Sequence, residues 1–204
     1  AYNAFGKAFL TREFGELRMH AGMCIRKVID ALALLNGRYF RLGVRRVFEE
    51  LDAMEKRPKN LRQLVDDAIS AQTPEAIKAA LSRLLETVQS QFPTETAVPV
   101  ACSGAYEENH IRPKRSLAEP SEALSGTYEE MVSNWRSKML LAAKTGNVHL
   151  SFDSLGSLDY MLQELGCKWD VLANFDPRDL YANVETFDRF LARYKKLLDQ
   201  AGIP

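Results

Sequence analysis

The chain has 204 residues, 46% hydrophobic and 26% charged, a balance that suits a globular fold with a buried core. Its 27 Lys and Arg are matched by 27 Asp and Glu, so no global field draws it to nucleic acid or to a membrane surface, and anion affinity must come from a local cluster. Three widely separated cysteines, Cys24, Cys102 and Cys167, give no disulfide framework and fit a reducing, cytoplasmic setting. No apolar run approaches the ~20 residues of a transmembrane helix, and no basic-then-apolar leader is visible. The first residue is Ala1, which fits processing or a place in a longer protein.

Apolar spacings of three and four along Leu17, Ala21, Cys24, Ile25, Val28, Leu32 and Leu35 predict a helix between Arg12 and the Asn36-Gly37 stop. A second helix is expected along Phe40, Val44, Val47, Phe48 and Leu51, followed by Pro58. A shorter one is expected from Lys59 to Ala71. Thr73-Pro74-Glu75 then opens a fourth, with Thr as cap, Pro in the first turn and Glu at the positive end of the dipole. Short connections make residues 1–92 a helical bundle. Residues 93–124 carry four prolines and little periodicity, and are expected to form a linker or extended flap holding His110, Arg112, Lys114 and Arg115. Residues 125–204 are expected to be helical and to pack on the first segment. Their helices run from Tyr128 to Lys144, from Leu150 to Leu165 before Gly166, and from Val184 to Ala201 before Gly202. Asp176-Pro177-Arg178-Asp179 has the form of a helical turn capped by Asp176. The expected fold is all-α, a multi-helix bundle with a long Pro-containing loop in the middle.

Two groups of residues could meet an anion. Arg38, Arg41 and Arg45 are three and four apart, so on a helix they share a face beside the Phe40 and Val44 stripe. They either reach a phosphate from the rim of that face or pair with Glu49, Glu50 and Asp52. In "SGTYEEMVSNWRSK", Ser125-Gly126 reads as a turn, and Thr127 with Glu130 as a capping box. Tyr128, Met131, Val132, Trp135 and Met139 would then form the buried face. That leaves Asn134, Arg136 and Lys138 as polar neighbours of the Trp135 anchor, either structural or anion-binding.

No catalytic residue can be assigned. His20 and Cys24 are four apart but lack the further ligands zinc needs, so they read as core packing. His110 and His149 stand alone in loops, and no Gly-rich phosphate loop is present.

The segment "FLTREFGELRMHAGMCIRKVIDALALLNGRYFRLGVRRVFEEL" is similar to an uncharacterised helical domain family that lies C-terminal to polymerase-beta-like nucleotidyltransferase domains. In that family an Arg-x-x-Gly-Glu element, here Arg12, Gly15 and Glu16, precedes a long helix. The helix ends near leucine, arginine and tyrosine positions, here Leu35, Arg38 and Tyr39. A Lys-Trp pair that comes next in the family is replaced here by "FRLGVRRVF". "SGTYEEMVSNWRSKM" also resembles a segment of nucleotidyltransferase-associated proteins. The resemblance implies a substrate-binding or lid domain that binds nucleotide or acceptor and lacks the catalytic aspartates itself. It implies a catalytic partner domain, in cis or in trans, that would bring magnesium and a nucleoside triphosphate. The alternative is a non-catalytic helical protein-interaction module.

Overall fold

Two helices open the chain: α1 (Tyr2–Leu10) and α2 (Phe14–Leu35). The computed structural model describes residues 2–92, 120–164 and 171–203, and it is all-α, with no strand among them. The expected loop and its basic residues therefore lie outside the described residues up to residue 119. Sequence periodicity missed α1, which is short and has no capping residue. It is held by packing on α2, and its own Phe5 and Phe9 rings lie 4.4 Å apart. The expected stop of α2 is present. Gly37 takes φ +60°, and the Arg38 amide donates back to the Ala33 carbonyl at 2.9 Å.

The second expected helix is corrected. Residues 38–43 are not helical, and a single tight turn at Val44–Arg46 leads into the short α3 (Val47–Asp52). Gly43 sits at φ +70° and breaks the run. The Glu50 carboxylate accepts from the Arg41 amide at 3.0 Å and the Leu42 amide at 2.8 Å, folding the segment back over α3. Of the expected stripe, only Val47, Phe48 and Leu51 are buried. Helices α4 (Leu61–Ser70) and α5 (Pro74–Gln89) come next, as the sequence indicates. Thr73 caps α5 by accepting from the Ala76 amide at 3.2 Å, with Pro74 in its first turn.

The next segment differs more. Helix α6 (Pro120–Glu130) starts inside the expected loop and passes through Ser125 and Gly126, so neither the turn nor the Thr127 capping box forms. It continues through a wide π-helical turn, Met131–Trp135, into α7 (Arg136–Thr145). A π turn holds one residue more than an α turn, so it rotates the residues beyond it by about 100°. Val132 is thereby exposed and Trp135 half-buried, whereas Met131 and Met139 stay in the core. Tyr128 stacks on Tyr194 of the last helix, 6.1 Å away, so tertiary packing overrides the local start signal.

Gly146, at φ +64°, ends α7, and the Asn147 amide donates to the Ala142 carbonyl at 2.9 Å. The Asn147 side chain then caps α8 (Val148–Glu164) by accepting from the Leu150 amide at 2.9 Å. The last helix, α9 (Leu180–Gln200), begins earlier than expected. Its cap is Asp179, which accepts from the Ala182 amide at 2.9 Å. Asp176 instead closes a turn by accepting from the Arg178 amide at 2.9 Å.

One contiguous apolar core runs from Ala8 to Leu198. Helix α2 lies at its centre, with α1, α5 and α8 against it, and α7 packs between α8 and α9. A Cβ added at Gly22 of α2 would lie 3.3 Å from the Phe152 ring of α8, so glycine permits this close crossing. Below the crossing, Arg18 of α2 is only 1% exposed. Its Nη1 donates to the Leu172 carbonyl at 3.0 Å and the Phe175 carbonyl at 2.8 Å, and its Nη2 to Gln72 Oε1 at 3.1 Å. The guanidinium also lies 4.4 Å from the Phe14 ring centre. One side chain thus ties α2 to the α4–α5 corner and to the segment before α9.

Candidate functional site

A cavity of about 760 Å³ opens where α2, the 40–47 segment, the π turn with α7, and the first half of α8 meet. Its walls are mainly apolar, with Phe40, Leu42 and Val44 on one side and Leu141 and Leu150 on the other. Polar groups converge from three directions. Arg26 and Asp30, one turn apart, come from α2; Trp135 and Lys138 from the π turn and α7; His149, Asp153 and Ser157 from α8. Few polar groups set in an apolar concavity are the common form of a small-molecule site.

The side chains differ in how far they are committed. Arg26 bridges α2 to α8, donating from Nε to Asp153 Oδ1 at 3.0 Å and from Nη2 to Ser157 Oγ at 2.6 Å. The Trp135 indole N–H is buried without a hydrogen-bond partner among the described residues. The Lys138 ammonium lies 5.2 Å from the centre of the same ring. Asp30, Arg45 and Lys138 form no ion pair among the described residues. His149 is 7% exposed and packs edge-on against Phe48, ring centres 5.1 Å apart. Burial lowers its pKa, which the nearby Asp153 opposes and Arg26 and Arg62 reinforce, so the ring is neutral at pH 7.

The expected arginine face does not form. Arg38 and Tyr39 line a separate recess of about 290 Å³ beside Glu49 and Glu50, and Arg38 Nη1 reaches the Ala53 carbonyl at 3.5 Å. The Arg41 guanidinium lies over Tyr39, 5.2 Å from its ring centre. Only Arg45 of the three lines the larger cavity. The structural cause is the non-helical path of residues 38–43. Arg136 is committed to Asp188 of α9 by two bonds, at 2.7 and 2.9 Å, and this pairing raises its pKa. Asn134 is half-buried in the π turn and lines none of these cavities. Arg12 is exposed ahead of α2, and Glu16 lies 3.6 Å from His20 Nε2. Lys138 does join Arg45, so one member of each expected anion group meets at the same cavity.

Sequence reasoning missed Arg26, Asp30, Asp153 and Ser157, and placed His149 in a loop rather than in the first turn of α8. A signal existed. Arg26 and Asp30 are four apart beside one apolar stripe, and Asp153 and Ser157 are four apart in another helix, which sets two complementary polar faces at one crossing. Among the described residues no group of three or more His, Cys, Asp or Glu side chains is placed to hold a metal ion. Cys24 is fully buried, and burial pushes its thiol up to about 11, which leaves it inert near neutral pH. No described helix is long and apolar enough to cross a membrane.

The first five helices of this all-helical architecture, of which α2 and the segment leading into α3 line the cavity, match a class of domains associated with nucleotidyltransferases. The particular family is the KNTase C-terminal domain, that of kanamycin nucleotidyltransferase, whose model matches residues 1–95, just under half of the chain. Domains of that family are helical and are found C-terminal to nucleotidyltransferase domains. The matched region holds α1 to α5, including Arg26, Asp30 and Arg45, while Trp135, Lys138 and α8 lie beyond it. No curated protein and no solved structure matches the chain.

Proposed function

We propose that this chain is the helical substrate-binding or lid domain of a nucleotidyltransferase, and that the 760 Å³ cavity receives part of the nucleotide or of its acceptor. The observation that carries the reading is the meeting of uncommitted Arg45 and Lys138 with the buried indole N–H of Trp135 on one apolar concavity. The cations supply charge-assisted bonds to an anionic group, and the indole supplies one directed donor. The catalytic aspartates belong to a partner domain, in cis or in trans, and magnesium with the nucleoside triphosphate arrives with it. The described residues offer no metal-binding set of their own. A neutral chain with three sparse cysteines suits a small-molecule role in the cytoplasm.

Titration calorimetry with magnesium-ATP tests this. Wild type is expected to release heat, more weakly at higher salt, and Lys138→Ala to reduce affinity about tenfold or more. Arg41→Ala, which removes an arginine away from the cavity, is expected to leave affinity unchanged. No heat from the wild type would favour the second reading, a non-catalytic interaction module. That reading has its own support: Leu34 and Tyr39, 77% and 69% exposed, stand close in sequence to the partly exposed Leu42 and Val44 of the cavity wall.

A further inference from the structure

A second cleft, of about 790 Å³, shares Arg45 and His149 with the first cavity but is built from different elements. Its walls are the start of α3, the exposed side of α4, and the corner where α7 ends and α8 begins. We propose that this cleft binds an oxyanion, the phosphate group of a small phosphorylated molecule or free phosphate, held by the first turn of α8, the His149 ring, Arg45 and Arg62. The inference does not need the nucleotidyltransferase reading: it shares Arg45 and His149 with the first cavity but uses neither Trp135 nor Lys138.

The backbone comes first. Helix α8 has 17 residues, so its dipole is developed and its first amides point out of the helix end. Three of those amides are used: Val148 donates to the Gly146 carbonyl at 3.1 Å, Leu150 to Asn147 Oδ1 at 2.9 Å, and Ser151 to the Asn147 carbonyl at 3.2 Å. The amide of His149 has no acceptor among the described residues. The opposing end of α7 is already neutralised locally. Its Leu141, Ala142 and Ala143 carbonyls accept from Thr145 Oγ1, the Asn147 amide and the Gly146 amide.

The side chains supply the second, independent observation. The His149 ring is more than nine-tenths buried, lines the cleft, and its Nδ1 has no hydrogen-bond partner among the described residues. A buried polar atom left unpaired is costly, so a ligand or ion at this place answers a need the fold leaves open. The Asn147 Nδ2 donates to the Arg45 carbonyl at 3.2 Å, which fixes the main chain of Arg45 beside the helix start. The Arg62 guanidinium carbon lies over the Phe48 ring, 4.5 Å from its centre, and its N–H groups have no acceptor among the described residues. Neither Arg45 nor Arg62 forms an ion pair among the described residues. The acids of the cleft are Glu49 and Asp66. Glu49 is held by Arg46, Nε to Oε2 at 2.8 Å, so Asp66 alone opposes the two uncommitted arginines. Burial pushes the Asp66 carboxyl up, against the pull of Arg62.

The test is a titration followed by amide chemical shifts, with inorganic phosphate and with glycerol phosphate as probes at low salt, on wild type, Arg62→Gln and Lys138→Ala. The His149 amide and its neighbours in the first turn of α8 are expected to move saturably with at least one probe. Arg62→Gln is expected to weaken binding about tenfold or more, and Lys138→Ala to leave it unchanged. A severalfold preference for the ester would identify the occupant as a phosphorylated molecule, and equal binding would identify free phosphate; both support the site. If Arg62→Gln loses its dispersed spectrum, Arg62→Lys replaces it, keeping the charge and losing the fork, with a smaller expected weakening. Absence of saturable shifts at His149 with both probes would overturn the proposal, as would undiminished binding in the Arg62 variant. Because Lys138 belongs only to the first cavity, failure here and failure of the ATP titration are separate results.

Discussion

Replacing Arg18 by methionine is expected to lower stability by about 3–5 kcal/mol, seen as a lower urea midpoint at unchanged slope. Methionine keeps much of the apolar stem but removes every donor. The Phe175 carbonyl, which accepts from Nη1 at 2.8 Å, would then be dry and unpaired, and the Leu172 carbonyl would keep only the Phe175 amide, at 3.1 Å. Each such group costs about 1–3 kcal/mol. Exchanging a whole buried polar cluster for apolar residues is sometimes neutral, but that route is closed here because these acceptors are backbone. The Gln72 side chain loses its bond as well, so the α4–α5 corner and the segment before α9 would loosen together. A change below about 1 kcal/mol would mean that water reaches these carbonyls, and that the guanidinium does not order the segment.

Phe152→Ala is expected to cost a similar amount, about 3–5 kcal/mol. Phe152 is buried and lies edge-on to Phe175, ring centres 5.2 Å apart. The void would open against Gly22, which has no side chain to fill it. Helix α2 cannot slide into the space, because its other faces are packed by α1 and α5. Poor collapse places the change toward the top of the range. Arg18 and Phe152 both touch Phe175, so the double variant is expected to lose less than the sum of the two. Equilibrium unfolding of the three variants measures all of this. Full additivity would show that the two contacts are independent.

Helices were legible where apolar period and end signals agreed. The α2 stripe with Asn36-Gly37, and the Thr73-Pro74 start of α5, each repeat one instruction at two levels, and both formed. Where signals conflicted, the outcome turned on distant residues. The apolar spacing through Phe40 and Val44 suggested a helix, but Gly43 and the Glu50 carboxylate stabilise a folded-back strap instead. The Thr127 box is a valid start in isolation, yet α6 is already helical there, and the π turn then displaces Val132 and Trp135 from their expected face. The candidate site was half legible for the same reason. Arg45 and Lys138 were singled out by charge beside apolar anchors, and both line the cavity. Arg38, Arg41 and Arg136 were singled out too, but strap geometry removes the first two and Asp188 engages the third. The four-residue spacing of Asp153 and Ser157 was visible, but not which helix their face would meet, and His149 had no such signal.

We propose the cavity lined by Trp135 as a ligand site of a nucleotidyltransferase's helical domain. The most direct measurement follows the indole N–H resonance of Trp135, assigned by its loss in Trp135→Phe, as magnesium-ATP is added to the full chain and to a complex with a nucleotidyltransferase catalytic domain. A saturable shift of that resonance, together with amide shifts at Arg45 and Lys138, is expected in at least one of the two samples. An indole resonance that stays fixed in both, while the complex itself turns over ATP, would contradict the claim.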